Sequence, residues 1–159
     1  ALINVAGIAS MNLALTTPPD SVQKVISTNL LGAIYTNQYF APLIIRAGGG
    51  VIVNFSTIAV SIGLEGESVY VASKAGVEAF SRTFAREMSG FGVRVNCIAP
   101  GPIHTDLTAG LKQEQLDRII NHQIIRKPFE RETVADLVDL LLDERAKSIS
   151  GQVLHVGGA

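Results

Sequence analysis

The sequence predicts an α/β domain built on a parallel sheet. Short apolar runs of five or six residues alternate along the chain with long segments of helical periodicity, and parallel strands joined by helices produce that alternation. The run at residues 51–55 is mostly apolar at consecutive positions, which is typical of a strand covered on both faces. A chain of 159 residues is long enough for one domain with a substantial core.

Composition is that of an ordinary globular protein. The chain is 47% hydrophobic and 17% charged, with a formal net charge of −1, so electrostatics give no case for nucleic acid or an anionic membrane as a partner. No apolar run is long enough to cross a bilayer. The one cysteine, Cys97, lies in an apolar run and is expected to be a buried thiol. We expect a cytoplasmic or mitochondrial-matrix protein that is not secreted.

The first strand and helix follow from local patterns. Residues 1–5 form a short apolar run that Ala6-Gly7 closes. A long helix is expected from Asp20 to about Arg46, because Asp20 and Gln23 have the spacing of a capping box and apolar residues recur at helical spacing. Pro42 should bend or break this helix near its end.

The middle of the chain repeats the pattern. Residues 51–55 form the second strand, and residues 58–67 form a glycine-containing loop. A second long helix is expected over residues 68–89, ended by glycines. Residues 93–98 form the third strand, which Pro100-Gly101-Pro102 breaks.

The last third is more polar. A helix is expected near residues 112–122, and Thr133 with Asp136 suggests the cap of another. The last strand runs from Gln152 to Val156. His104, His122 and His155 have no metal-binding spacing, and no metal site is expected.

Tyr70 and Lys74 are the strongest chemical signal. On a helix their i, i+4 spacing places both side chains on one face. An ammonium group beside a phenol favours the phenolate, so we expect the pKa of Tyr70 to fall and the phenol to exchange protons with a substrate oxygen near neutral pH. The plainer interpretation is a surface Tyr and Lys that share a helix by chance.

The predicted topology brings other polar groups to the same place. Ligands of open α/β sheets bind beyond the carboxyl ends of the strands. Those ends here include Ala6-Gly7, the hydroxyls of Ser56 and Thr57, and Pro100-Gly101. Tyr70, Lys74 and a hydroxyl could therefore converge on one cleft, and that constellation suits the reduction of a carbonyl.

These residues resemble the short-chain dehydrogenase/reductase family over the entire chain. Within the family the sequence is most similar to 3-oxoacyl-[acyl-carrier-protein] reductases and carbonyl reductases. Asn4-Val5-Ala6-Gly7 matches the family's N-N-A-G segment, and Asn29 matches its active-site Asn. Thr57 stands at the position of the catalytic Ser, thirteen residues before Tyr70, and Tyr70 with Lys74 matches Y-x-x-x-K. Pro100-Gly101 with Thr105 matches P-G-x-x-x-T.

The resemblance implies a role for each matched residue. Tyr70 would be the general acid or base, Lys74 would lower its pKa and bind the nicotinamide ribose, and Thr57 would bind the substrate oxygen. Asn29 would hold a water that links Lys74 to solvent. Cofactor contacts would come from Asn4, Ala6, Gly7, Tyr70, Lys74, Pro100, Gly101, Ile103 and Thr105, with Ile103 and Thr105 at the carboxamide.

The resemblance also implies the cofactor and the wider fold. We expect NADP(H) in preference to NAD(H), and a small-molecule or acyl-thioester carbonyl substrate. Residues 1–159 would be a single partial domain, the C-terminal part of a Rossmann-type doubly wound parallel sheet, because the early strands and the glycine-rich loop are absent: no G-x-x-x-G-x-G occurs in the sequence. The fragment by itself is then expected to be inactive. Two further departures are Thr57 in place of Ser and Val5 in place of the second Asn.

Three functional hypotheses stay open. The first is an NAD(P)-dependent carbonyl or alcohol oxidoreductase. The second is a catalytically inactive remnant that acts only as an association module. The third is a sugar-nucleotide epimerase or dehydratase, which also uses Y-x-x-x-K but needs a sizeable C-terminal domain. In the first case we expect a homodimer or homotetramer, because the two long helices carry apolar residues on more than one face.

Overall fold

A four-stranded parallel sheet organises the molecule. The computed structural model describes residues 1–103, 105, 108 and 113–158. Within these residues the strands lie in chain order, β1 at Leu2–Asn4, β2 at Gly50–Phe55, β3 at Val93–Pro100 and β4 at Val153–Val156. All three pairings are parallel, so the predicted fold class is confirmed.

Six α-helices flank the described sheet. They are α1 at Pro19–Ile26, α2 at Gly32–Arg46, α3 at Ala59–Ile62, α4 at Ser68–Met88, α5 at Gln113–His122 and α6 at Arg131–Leu142. A single widened turn of π-helix, Ser27–Leu31, joins α1 to α2. None of the described helices combines the length and the apolar character needed to cross a membrane.

The sheet is covered on both faces. On one face α2 and α4 pack on β2 and β3 through a cluster of Ala41, Ile44, Ile52, Phe84, Ala85, Val93 and Val95. On the other face α6 packs through a cluster of Val51, Val53, Ile98, Phe129, Val134, Val138, Leu141 and Val156. Neighbouring residues of β2 thus enter different cores, which explains why this strand is apolar at consecutive positions.

Two predicted helix caps are wrong. α1 begins at Pro19 after Pro18, and Asp20 lies in its first turn without a side-chain cap. α6 begins at Arg131, so Thr133 lies inside the helix. Proline favours the first helical position because its fixed φ suits the helix and its missing N–H would be unpaired there.

Pro42 does not break α2. The helix continues past it to Arg46. Proline removes one N–H from the ladder, while Ala41 and Ile44 on either side of it are buried in the core. Tertiary packing of these neighbours holds the helix together across the proline.

Candidate active site

Tyr70 and Lys74 lie one turn apart near the start of α4 and are almost fully buried, with 6% and 5% of their surfaces exposed. Both line a cavity of about 720 Å³ at the carboxyl edge of the sheet. The spacing therefore does place the two side chains at one site. A chance pairing of surface residues is excluded by their burial.

Most of the residues predicted for the site line this cavity. They are Gly7, Thr57, Tyr70, Lys74, Pro100, Gly101, Ile103 and Thr105. Asn4, Ala6 and Asn29 are not among its lining residues. His104 lies outside the described residues.

The two adjacent hydroxyls after β2 have different partners. The hydroxyl of Thr57 lies near the phenol of Tyr70 and lowers the pKa of Tyr70. Its Oγ1 also accepts a bond from the Ala59 backbone N–H at 3.2 Å. Ser56 is buried and donates to the Glu78 carboxylate at 2.5 Å. Thr57 is thus the hydroxyl beside the phenol, and Ser56 joins the end of β2 to α4.

The ammonium group of Lys74 is held by the strand beside it. Its Nζ donates to the Phe55 carbonyl at 2.9 Å. An ammonium group has three N–H donors, so this bond leaves donors for a ligand in the cavity. Burial lowers the pKa of Lys74, and the nearby Cys97 opposes that shift.

Gly7 makes room for this ammonium group. A Cβ on Gly7 would lie 3.1 Å from Lys74 Nζ and 3.4 Å from Asn29 Oδ1. Most side chains at position 7 would therefore displace one of these groups. Because Gly7 has no side chain, the backbone of the loop after β1 can lie close to the Lys74 ammonium group.

The phenol of Tyr70 is harder to ionise than expected. Burial, followed by the negative charge of Glu67, raises the pKa of Tyr70 to about 12, against the lowering effect of Thr57. The prediction that Lys74 lowers this pKa is wrong for this structure. The physical reason is that desolvation disfavours the phenolate, while Lys74 Nζ is bound to the Phe55 carbonyl.

Asn29 holds the loop after β1 instead of facing the cavity. Its Oδ1 accepts from the Ile8 N–H at 2.8 Å, and its Nδ2 donates to the Ile8 carbonyl at 2.8 Å and to Ser73 Oγ at 3.0 Å. The side chain, 2% exposed, lies in the π-helical turn. The water-holding role of Asn29 stays a prediction, and its side-chain amide is already engaged.

The side chain of Asn4 is also used within the fold. Its Nδ2 donates to Asn54 Oδ1 at 2.7 Å, and its Oδ1 accepts from Thr36 at 2.9 Å. Asn54 in turn bonds Asn37 and Ser81. This network lies between the sheet and the helices α2 and α4, so a cofactor contact at Asn4 would have to use its backbone.

Gly101 lies against a buried side chain that sequence analysis missed. A Cβ on Gly101 would stand 1.8 Å from Gln123 Oε1. Gln123, 2% exposed, donates to the carbonyls of Ile125 and Lys127. Nothing in the sequence marks this glutamine, because its importance comes from a contact between distant segments.

Thr108 organises the segment that carries Ile103 and Thr105. Its hydroxyl donates to the Ile103 carbonyl at 2.7 Å and accepts from the Thr105 N–H at 3.1 Å. Sequence analysis missed Thr108. A threonine three residues after another polar loop residue is a weak signal for such a turn.

Sequence analysis also missed Glu67, the residue directly before α4. Only 6% of its surface is exposed, and it lines the same cavity as Tyr70. Burial raises its pKa. The signal available in the sequence was its position three residues before Tyr70, which places both on one side of the start of α4.

The chain is similar to known proteins over nearly its whole length. A family model described as enoyl-(acyl carrier protein) reductase matches residues 1–158. The 3-oxoacyl-[acyl-carrier-protein] reductase FabG of Staphylococcus epidermidis is 38% identical over 158 residues, which are 99% of this chain and 64% of that protein. Carbonyl reductase family member 4 of Danio rerio is 40% identical over 157 residues, with the same coverage of 99% and 64%.

A solved structure shares the fold. It is 4-hydroxyisoleucine dehydrogenase complexed with NADH, which superposes with a TM-score of 0.90 at 27% identity and covers 99% of this chain and 66% of that one. The chain thus spans 64% of the length of these two curated relatives, or about two thirds.

Proposed function

Because the chain belongs to the short-chain dehydrogenase/reductase family, we propose that the protein interconverts a carbonyl and an alcohol with a nicotinamide cofactor. The observation that carries this proposal is the position of Tyr70, Lys74 and Thr57 on the wall of one cavity. The effect of the Thr57 hydroxyl on the pKa of Tyr70 supports the proposal, because it indicates that the two hydroxyls lie near each other.

Each side chain has a distinct part in the proposed chemistry. Tyr70 delivers a proton to the carbonyl oxygen during reduction and removes it from the alcohol during oxidation. Thr57 donates a hydrogen bond to the same oxygen and fixes its position. Lys74 stays anchored to the Phe55 carbonyl and presents its remaining N–H donors to the cavity. The bound cofactor supplies or accepts the hydride.

The cavity fits the nicotinamide end of the cofactor. Its wall offers the ammonium donors of Lys74 for ribose hydroxyls and the polar segment of Ile103 and Thr105 for the carboxamide. The sequence has no G-x-x-x-G-x-G for the pyrophosphate, so the prediction that these 159 residues by themselves bind the nucleotide weakly or not at all is one for calorimetry to test. The resemblance to 3-oxoacyl reductases favours NADP(H), and competition between NADPH and NADH tests that preference.

An acyl thioester is the substrate to assay first. A second cleft of about 490 Å³, lined in part by Met11, Leu13 and Ile62, adjoins the main cavity and shares Leu64 and Ile119 with it. The cleft is lined by both apolar and polar side chains, the polar ones including Glu65, Arg118 and His122, and it gives room for a chain attached to the reacting carbonyl. This supports a 3-oxoacyl thioester as one candidate among carbonyl compounds.

A specific observation favours a second candidate function, an inactive association module. Helix α2 exposes Tyr35, Tyr39, Phe40 and Leu43, which are 61%, 72%, 40% and 44% exposed. A patch of this kind suits contact with another protein surface. The same face supports a homodimer or homotetramer of an active enzyme, so it does not by itself decide between the two functions.

A cofactor-oxidation assay decides between the oxidoreductase and the inactive association module. The protein expressed from its complete gene is mixed with NADPH or NADH and a panel of ketones, including a 3-oxoacyl thioester, and cofactor absorbance is followed. An active oxidoreductase consumes cofactor in step with alcohol formed. If cofactor is bound but no carbonyl of the panel is reduced, the association module is favoured.

A further inference from the structure

Two hydrogen bonds join consecutive residues at the end of β2 to α4. Lys74 Nζ donates to the Phe55 carbonyl at 2.9 Å, and Ser56 Oγ donates to Glu78 Oε1 at 2.5 Å. Lys74 and Glu78 are four residues apart on α4, so they are neighbours on one face of the helix. The four residues therefore form a closed clamp between the strand and the helix.

The Phe55 carbonyl lies just beyond the paired part of the first two strands. The pairing of β1 with β2 ends at Asn4 and Asn54. One residue further along β2, the Phe55 carbonyl accepts from the Lys74 ammonium group, and both residues line the main cavity. The direction of this carbonyl therefore depends on how the next residue of the chain is held.

That next residue, Ser56, is held on two sides. Its N–H donates to the Ile98 carbonyl of β3 at 2.7 Å, and its hydroxyl donates to Glu78. Ser56 is buried and Glu78 is half-buried, and a hydrogen bond to a carboxylate is stronger than one between neutral groups. Loss of the Glu78 carboxylate would leave Ser56 tied to β3 alone.

The charged ends of the clamp both act on one buried thiol. Burial, followed by the negative charge of Glu78, raises the pKa of Cys97 to about 12, and the Lys74 ammonium group opposes this. Both side chains thus extend from α4 towards β3, as the clamp requires. The pKa of Lys74 itself responds to burial and to Cys97, so the effect of Glu78 on Lys74 runs through the position of the strand.

We propose that Glu78 is a positioning residue for cofactor binding: through Ser56 it fixes the Phe55 carbonyl that anchors Lys74, and so directs the remaining ammonium donors towards the ribose hydroxyls. The proposal rests on the proposed function, in which Lys74 presents those donors to the cofactor. A lysine ammonium group stands on a flexible four-carbon chain, so the direction of its donors depends on its anchor. Opening the clamp should therefore weaken cofactor binding.

A double-mutant cycle on cofactor affinity tests this. The protein expressed from its complete gene is titrated calorimetrically with NADPH and with NADH as wild type, Glu78→Ala, Ser56→Ala and the double variant. Each single variant should raise the Kd by about threefold to tenfold, the effect of one lost hydrogen bond. The double variant should bind no more weakly than the weaker single variant, because both substitutions open the same clamp. Glu78→Gln keeps an acceptor for the Ser56 hydroxyl and should restore nearly wild-type affinity.

Kinetics and a matched control complete the experiment. In Glu78→Ala, the KM for the cofactor should rise with the Kd, while kcat at saturating cofactor falls by less than about threefold. Glu87→Ala is the control, because Glu87 is exposed on the same helix; it should leave the Kd unchanged. Urea unfolding of each variant measures its stability separately from its affinity.

Each outcome decides the proposal. Glu78→Ala that unfolds more easily but keeps the wild-type Kd, additive losses in the double variant, or failure of Glu78→Gln to restore affinity overturns it, even where carbonyl reduction is normal. Coupled effects on the Kd without reduction of any carbonyl reject the proposed function and leave the clamp standing. A wild-type protein that binds neither nucleotide overturns both.

Discussion

At the scale of single residues, the hydroxyls around the cavity divide the work between chemistry and structure. Thr57 lies near the phenol of Tyr70 and lowers its pKa, whereas the neighbouring Ser56 donates a hydrogen bond to Glu78. Two adjacent residues with the same functional group thus have separate consequences when they are changed.

Substitution separates the two roles. Thr57→Ala should lower kcat by about 10²–10³, the usual cost of losing one donor to the reacting oxygen, and Thr57→Ser should retain activity. Ser56→Ala should retain most of kcat and lower the free energy of unfolding by about 1–3 kcal/mol, because the buried Glu78 bond is lost. Steady-state kinetics and urea unfolding measure both. A larger loss of kcat in Ser56→Ala than in Thr57→Ala would reverse the assignment.

The raised pKa of Tyr70 has a consequence for stability. Below pH 10.0 the phenol is protonated in the folded and the unfolded chain; between 10.0 and about 12 the unfolded chain releases its proton first. The stabilising effect of burying a neutral phenol is therefore lost as the pH rises through this window. Between a pH of about 9 and a pH of about 11, the free energy of unfolding of the wild-type protein should fall by about 1.4 kcal/mol more than that of Tyr70→Phe. Parallel pH profiles in urea unfolding would contradict the raised pKa.

The positions of the site residues could be predicted, but their charge states could not. Helix period and strand ends put Tyr70, Lys74 and a hydroxyl at one cavity, and the family resemblance selected Thr57 in preference to Ser56 as that hydroxyl. The pKa of Tyr70 and the burial of Glu67 depend on the whole wall of the cavity. Desolvation of this kind is a tertiary property that no local pattern contains.

At the scale of elements, a strap over residues 123–129 joins the end of β3 to the end of β4. The Ile125 N–H donates to the Gly157 carbonyl at 2.8 Å, and Phe129 pairs with Ile103. Gln123 lies at one end of the strap, against Gly101. The strap thereby supports the segment that carries Ile103.

A double-mutant cycle tests this contact. Gly101→Ala should lower the free energy of unfolding by about 1–3 kcal/mol, because the new methyl group overlaps Gln123 Oε1. Gln123→Ala should also destabilise, through its lost bonds to Ile125 and Lys127. In the double variant the overlap is gone, so its loss should be smaller than the sum of the two. Additive losses in chemical denaturation would count against the contact.

Element types were predictable where periodicity is regular and were missed where it is not. Four strands and the long helices follow from apolar runs and 3.6-residue spacing. The π-helical turn Ser27–Leu31 inserts an irregularity that such spacing cannot show, and it carries Asn29. π-Helical turns are frequent at functional sites, which agrees with its place beside Ser73 and the loop after β1.

At the scale of the whole molecule, the described sheet and helices leave an apolar surface on α2. Tyr39 and Phe40 pack edge to face, with ring centroids 5.2 Å apart, and remain 72% and 40% exposed. Burial of such a surface stabilises an assembly by roughly 25 cal/mol per Å². We expect the protein expressed from its complete gene to be a homodimer or homotetramer.

Light scattering measures this assembly. Tyr39→Glu should shift the particle mass towards the monomer, because it places a charge in the apolar contact. The matched control is Leu140→Glu, on the exposed side of α6, where the leucine is 45% exposed; it should leave the mass unchanged. A wild-type monomer at micromolar concentration, or equal effects of both variants, would refute assembly through α2.

The central claim is that the phenol of Tyr70 transfers the proton in a carbonyl–alcohol conversion. The most direct measurement is the kcat of Tyr70→Phe, together with the affinity for the nicotinamide cofactor, in the protein expressed from its complete gene. Phenylalanine keeps the packing of the buried ring and removes only the hydroxyl. We predict a loss of kcat of at least about 10²-fold, the contribution of a general acid, with cofactor affinity nearly unchanged. A variant that kept kcat within about tenfold of wild type would contradict the claim.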